Sequence, residues 1–169
     1  MPKRTLGKDV PSDVTSKIYR VIVTQMMADP ILGGAVKKWQ TWDGEPTDIT
    51  PPTPSSAPWI GLTPRPVSEA WFSPESQQGF LYIQIKALVR GTCIDDVLDL
   101  WGAIRHALSP YATGTGSTTF MKKLIDAGAP KGLVEMSQPI SDPAPEAGQD
   151  GAFYAVGQLR VEYRALARS

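Results

Sequence analysis

Phe80-Leu-Tyr-Ile-Gln-Ile-Lys-Ala-Leu-Val-Arg90, running on into Gly91-Thr-Cys-Ile-Asp-Asp-Val-Leu-Asp-Leu-Trp-Gly-Ala-Ile-Arg-His-Ala-Leu108, decides the fold. The first segment alternates with period two, so Leu81, Ile83, Ile85, Ala87 and Val89 share one face of a long strand. That face is apolar throughout and must meet a core. The other carries Phe80, Tyr82, Gln84, Lys86, Leu88 and Arg90, a mixture expected on a sheet covered on one side and shared with a second partner on the other. Gly91 breaks the strand, and Thr92 stands where a helix N-cap belongs, with Asp95 completing a weakened capping box. Ile94, Val97, Leu98, Trp101, Ile104 and Leu108 then recur at helical spacing, which predicts a helix lying back across the sheet until Ser109-Pro110 ends it.

Upstream, residues 1–11 carry Lys3, Arg4 and Lys8 and read as an extended arm, either a frayed terminus or an arm lying on a neighbouring subunit. Ser12 or Asp13 caps a helix to about Ala28, with Val14, Ile18, Val21, Ile22 and Met26 along one face. Asp29-Pro30 stops or restarts it, Gly33-Gly34 makes a turn, and Ala35 to Thr41 reads as a short strand. Eight of the 16 prolines then fall between Pro46 and Pro74, which excludes helix and predicts a long loop over residues 43–58. Trp59 to Thr63 and Val67 to Ser73 are short strands, the second turning through Ser73–Gly79 as a hairpin into the long strand.

Downstream, Thr113-Gly-Thr-Gly-Ser-Thr118 is a small-residue loop before a short helix from about Thr119 to Ala127. Phe120, Leu124 and Ile125 are expected inward, with Ser117 or Thr118 as cap and Gly128 as the stop. Leu133 to Gln138 reads as a strand, 139–151 as a loop, and Phe153 to Ala165 as the last strand. The expected fold is α+β: an antiparallel or mixed sheet of four to six strands, packed on one face by two main helices and one short helix, in a single domain over 1–169.

The 17 basic and 17 acidic side chains balance, with eight of each sign up to residue 84 and nine of each after it, so no cationic footprint for nucleic acid exists in the overall charge. Neutrality with five Trp, five Tyr and four Phe fits a protein that associates with copies or partners. Cys93 is the only cysteine, which excludes an internal disulfide and a thiolate metal cluster. The polar start lacks the apolar run of a secretory signal and nothing approaches the roughly 20 apolar residues of a membrane span, so no membrane association and a cytosolic place of synthesis are expected.

His106 is the only histidine, and at 1.5 Å per helical residue it stands roughly 20 Å from Cys93, too far for a catalytic dyad within one subunit. Asp95, Asp96 and Asp99 fall in the first turns of the central helix, where the helix dipole favours carboxylates, and no glycine-turned ligand loop surrounds them. The Gly-rich 113–118 segment lacks the Gly-Lys-Ser/Thr of a phosphate loop. No catalytic, metal or cofactor residues are therefore assigned. Trp39, Trp42, Trp59 and Trp71 cluster around the Pro-rich segment; they are either buried within the subunit or, with Tyr82 and Leu88, anchors of a subunit interface, where Trp is enriched.

The element order and several local phrases resemble the tail terminator proteins of long-tailed bacteriophages. The features that carry the resemblance are the helix from Asp13 to Ala28 followed by Asp29-Pro-Ile-Leu32, the Pro-rich segment ending in Pro58-Trp-Ile-Gly-Leu62, the long strand and helix from Phe80 to Leu108, and the late strand from Phe153 to Arg164. The resemblance implies a non-enzymatic virion subunit without cofactors, assembled in the host cytoplasm. It implies a homo-oligomeric ring, usually a hexamer, that caps the tail tube protein, stops its polymerisation and meets the head connector or head-closure protein, with DNA present only by passage through the lumen. Other neck roles, such as a head-closure or stopper ring, a tail completion protein or a tail tube subunit, share this design. From other classes, a small enzyme or ligand-binding domain would need a convergent titratable pocket, and a nucleic-acid module would need Arg160, Arg164 and Arg168 to join Lys122 and Lys123 in one patch.

Overall fold

The computed structural model of the chain describes residues 13–41, 57–65, 69–73, 76–90, 95–137, 144–145 and 152–166. In chain order they form α1 (Val14–Ala28), α2 (Pro30–Ala35), β1 (Lys38–Thr41), β2 (Trp59–Arg65), β3 (Glu69–Ser73), β4 (Ser76–Arg90), α3 (Asp95–Ala107), α4 (Phe120–Ala127), β5 (Glu135–Met136), β6 (Ala144–Pro145) and β7 (Ala152–Leu166). The arm, Trp42, Thr92, Cys93, Ile94 and most of the 43–58 and 139–151 segments lie outside the described residues.

The fold is α+β with a mixed sheet. Its spine is the antiparallel pair β4 and β7, in register from Ser76↔Leu166 to Arg90↔Ala152. Short strands line both outer edges of this ribbon. β2 and then β3 pair with β4, while β5 and β6 pair with β7. β1 closes one end of the sheet by pairing with β2 in parallel, giving the order β1-β2-β4-β7-β5. The long strand begins earlier than the alternation alone indicates, at Ser76, because Gln77 and Gln78 find ladder partners on both β3 and β7.

Every helix contributes to one core against one face of this sheet. Leu81, Ile83, Ile85, Ala87 and Val89 are buried there as expected, opposite Ile18, Ile22 and Met26 of α1, Leu32 of α2, Val97, Trp101 and Ile104 of α3, and Phe120 and Leu124 of α4. Burying such side chains stabilises the fold by about 1.5–3 kcal/mol each. Polar bonds fix the helices against the sheet. The Tyr19 hydroxyl donates to the Leu62 carbonyl at 2.7 Å, and buried Gln25 donates to the carbonyl of Ala107 at the end of α3.

Local chemistry explains the helix ends. Asp13 caps α1, accepting from the Thr15 amide. Asp29 closes α1 and caps α2, accepting from the amides of Ile31 and Leu32 with Pro30 in the first helical turn. Gly33-Gly34 is therefore helical rather than a turn: this double-duty cap outweighs poor glycine propensity over one short stretch. α4 is capped by Thr119, one residue later than expected, and stopped by Gly128 in the left-handed region at φ 114°.

Two expectations about faces change, and two about the extent of strands. On α3 it is Leu100, not Leu98, that turns inward; Leu98 is exposed, because the stripe set by Val97, Trp101 and Ile104 passes through position 100. Ile125 is likewise exposed while Phe120 and Leu124 are buried. The strand at Leu133–Gln138 shrinks to Glu135–Met136, and the expected loop at 139–151 contributes the two-residue β6 against Tyr154 and Phe153.

Candidate functional site

The helices leave the opposite face of the sheet open: among the described residues no helix packs on it. Its side chains are the even-numbered residues of β4 and β7 with the odd-numbered residues of β2, and the register lays them out in three zones. At the end near Leu88 the face is apolar. Ala57, Trp59 and Leu88 form a second, separate buried cluster with Tyr154 packed against it. Trp59 reaches this position because position 61 is glycine: a Cβ there would stand 2.5 Å from the indole Cη2, so the ring lies flat along its own strand. Lys86 sets its ammonium 4.6 Å from the Tyr154 ring centre, a cation–π contact that ties the cluster to the middle of the face.

The middle is polar and half-buried. Gln84 and Gln158 stand opposite each other in register, and Arg65 donates to the Gln84 carbonyl oxygen. Beyond them lies a charged zone whose members are already partnered. Tyr82 is opposite Arg160, whose guanidinium sits 5.0 Å from the Phe80 ring centre and donates through Nε to Glu135 at 2.8 Å. The hydrogen bond to Glu135, with its charge, raises the guanidinium pKa further above its ordinary value. Glu162 accepts from Gln78 and pairs with Lys131 at 2.6 Å, and this bond holds the lysine pKa above its usual value.

The sequence-predicted interface residues divide between the two faces. Tyr82 is half-buried in the open face. Trp59 and Leu88 are on the same face but buried at its apolar end, so within this chain they act as its floor. Trp39 is half-buried on β1 and packs against the main core on the helix side. Trp71 belongs to β3, described by its backbone alone, and Trp42 lies outside the described residues. Sequence reasoning placed Phe80 and Lys86 on this face with Tyr82 and missed Tyr154, which packs on its apolar end. Extending the alternation of β7 back to residue 154 identifies it.

His106 is exposed late in α3, and no group of three His, Cys, Asp or Glu side chains able to hold a metal occurs among the described residues. Lys122 and Lys123 ride on α4 in the helix layer, where Lys122 pairs with Asp126, whereas Arg160 projects from the open face. The patch a nucleic-acid module requires is thus divided between two sides of the sheet. No described helix is long and apolar enough to cross a membrane. What remains is a surface with a tilted Phe80–Tyr82 ring pair, half-buried Tyr154 beside a buried apolar end, and pre-paired charges.

No family model matches this sequence, and no curated protein matches it. Its fold has a solved counterpart. A chain in the virion of a native gene transfer agent particle superposes with a TM-score of 0.59 at 12% identity, covering 92% of this chain and 100% of that one. At this identity the likeness is one of fold.

Proposed function

We propose that this chain is a structural subunit of a phage-like virion and, within it, a tail terminator: a protein that assembles as a ring, usually of six copies, on the end of a tail tube and presents its other side to the head connector. The observation that carries this reading is the fold shared, nearly end to end, with a chain of a gene transfer agent virion. The open sheet face supports it. A closed ring needs two different patches on each subunit, and the aromatic and charged surface around Phe80, Tyr82 and Arg160 supplies one. The Pro-rich segment with Trp42, beside the half-buried edge strand that carries Trp39, supplies the other. The role is assembly, with no catalytic step.

The test is the mass of the purified protein by light scattering, alone and with tail tubes, together with electron-microscope images of the mixture. Rings of about six copies seated on tube ends are expected. A monomer that ignores tubes overturns the reading.

A further inference from the structure

A groove of about 300 Å³ opens between α2 and α3, away from the open sheet face. Ile31, Ala35, Val89, Leu100 and Ala103 make it apolar, and Asp96 and Asp99 form its rim. Ile31 is 66% exposed, a large aliphatic side chain left in water at the groove mouth. Asp96 and Asp99 are exposed, and neither pairs with a cation among the described residues. The groove therefore suits a ligand that sets an apolar side chain beside positive charge.

The chain ahead of Asp13 has that pattern. An extended segment places Arg4, Leu6 and Lys8 on one side, successive members about 6.7 Å apart. Arg4 and Lys8 thus start about 13 Å apart, while Asp96 and Asp99, three apart on a helix, stand about 5–6 Å apart at Cβ, so the two long cationic side chains must converge over Leu6 to reach the pair. We infer that this groove receives the N-terminal arm of a second copy of the chain, with Leu6 against Ile31 and Leu100 and with Arg4 and Lys8 on Asp96 and Asp99. The inference rests on the reading that the chain assembles with its own copies.

Reach and charge favour a second copy over the chain's own arm. The groove lies at the far end of α1 from Asp13, and the 15 residues of that helix span about 22 Å. The seven residues from Asp13 back to Leu6 extend at most about 25 Å. An arm docking on its own groove would have to run straight along the exposed side of α1, past Lys17 and Arg20, which repel Lys8.

The experiment uses two full-length proteins, each with Cys93→Ser: one carries Leu6→Cys and the other Ile31→Cys. They are mixed and treated with a short bis-maleimide. A covalent dimer containing one of each is the expected product. Asp96→Lys with Asp99→Lys in the Ile31→Cys protein lowers its yield about fivefold, and Arg4→Glu with Lys8→Glu in the Leu6→Cys protein restores it. An undiminished yield after charge reversal overturns the proposed pairing. So does a doubly substituted protein, Leu6→Cys and Ile31→Cys, that cross-links only within itself. If light scattering shows rings and no mixed dimer forms, the arm's site is overturned while the ring reading stands; a chain that stays monomeric overturns both.

Discussion

The β4–β7 ribbon presents two faces made from the same strand pairs, and they differ in what they ask of their surroundings. On one side Ile83 stands opposite Leu159, Ile85 opposite Gly157 and Ala87 opposite Ala155, all buried under helices. On the other, one residue along, Tyr82 meets Arg160, Gln84 meets Gln158 and Lys86 meets Val156, all but exposed Arg160 only half removed from water. The helix side is finished within this chain: its side chains interlock, as where the end of the Trp101 indole occupies the space over Gly157. On the open side the charged groups are paired, the Trp59 indole N–H is buried without a partner, and away from the buried Trp59–Leu88 end no described helix covers the strands. The packing that holds the fold is therefore concentrated on one face, while the proposed assembly role falls on the other, and substitutions should separate the two.

The largest effect should come from Trp101→Ala, which empties the space over Gly157 and is expected to cost about 3–5 kcal/mol in urea unfolding; a loss below 1 kcal/mol would show that the helix side is not the tightly packed one. Next is the contrast of two glycines. Gly157→Ala puts a Cβ 2.3 Å from the enclosed Trp101 ring and should cost about 1–3 kcal/mol. Gly61→Ala meets Trp59 at 2.5 Å, but that ring belongs to the small Ala57–Trp59–Leu88 cluster rather than the main core, so a smaller loss is expected in the same unfolding experiment. Tyr82→Ala should change subunit stability by less than about 1 kcal/mol while lowering the fraction of protein in rings, read by light scattering. Smallest is the ion pair of Lys131 and Glu162. The raised lysine pKa means that its contribution is complete below the ordinary lysine value and is lost only as pH climbs through the raised one. Lys131→Met should thus leave the urea midpoint unchanged in its pH dependence between pH 6 and 9, any difference from the parent closing only at more alkaline pH.

The helix side was legible in the sequence because period two over Leu81–Val89 and helical spacing over Val97–Ile104 are sustained signals. What escaped was decided by neighbours. Leu98 and Leu100 are chemically alike, and it is the spacing of Val97, Trp101 and Ile104, with position 100 three after Val97 and four before Ile104, that makes the second the buried one. Pro30-Ile-Leu-Gly-Gly-Ala35 has weak helix propensity, and the cap at Asp29 makes it a helix. β6, Ala144–Pro145, exists because β7 offers an edge to pair with. For the open face, alternation identified Tyr82 as outward, but no local signal shows that Trp59 folds down over Gly61 and converts an expected contact residue into a floor.

The length of the central ribbon has a mechanical consequence. Fifteen residues in each of β4 and β7, at about 3.3 Å per residue, make a paired beam close to 46 Å long. A pull along its axis loads the rungs of the ladder together, in shear, whereas a pull across it would open them one after another. If tension enters at one end of β4 and leaves at the opposite end of β7, this subunit meets it in its stiffest direction.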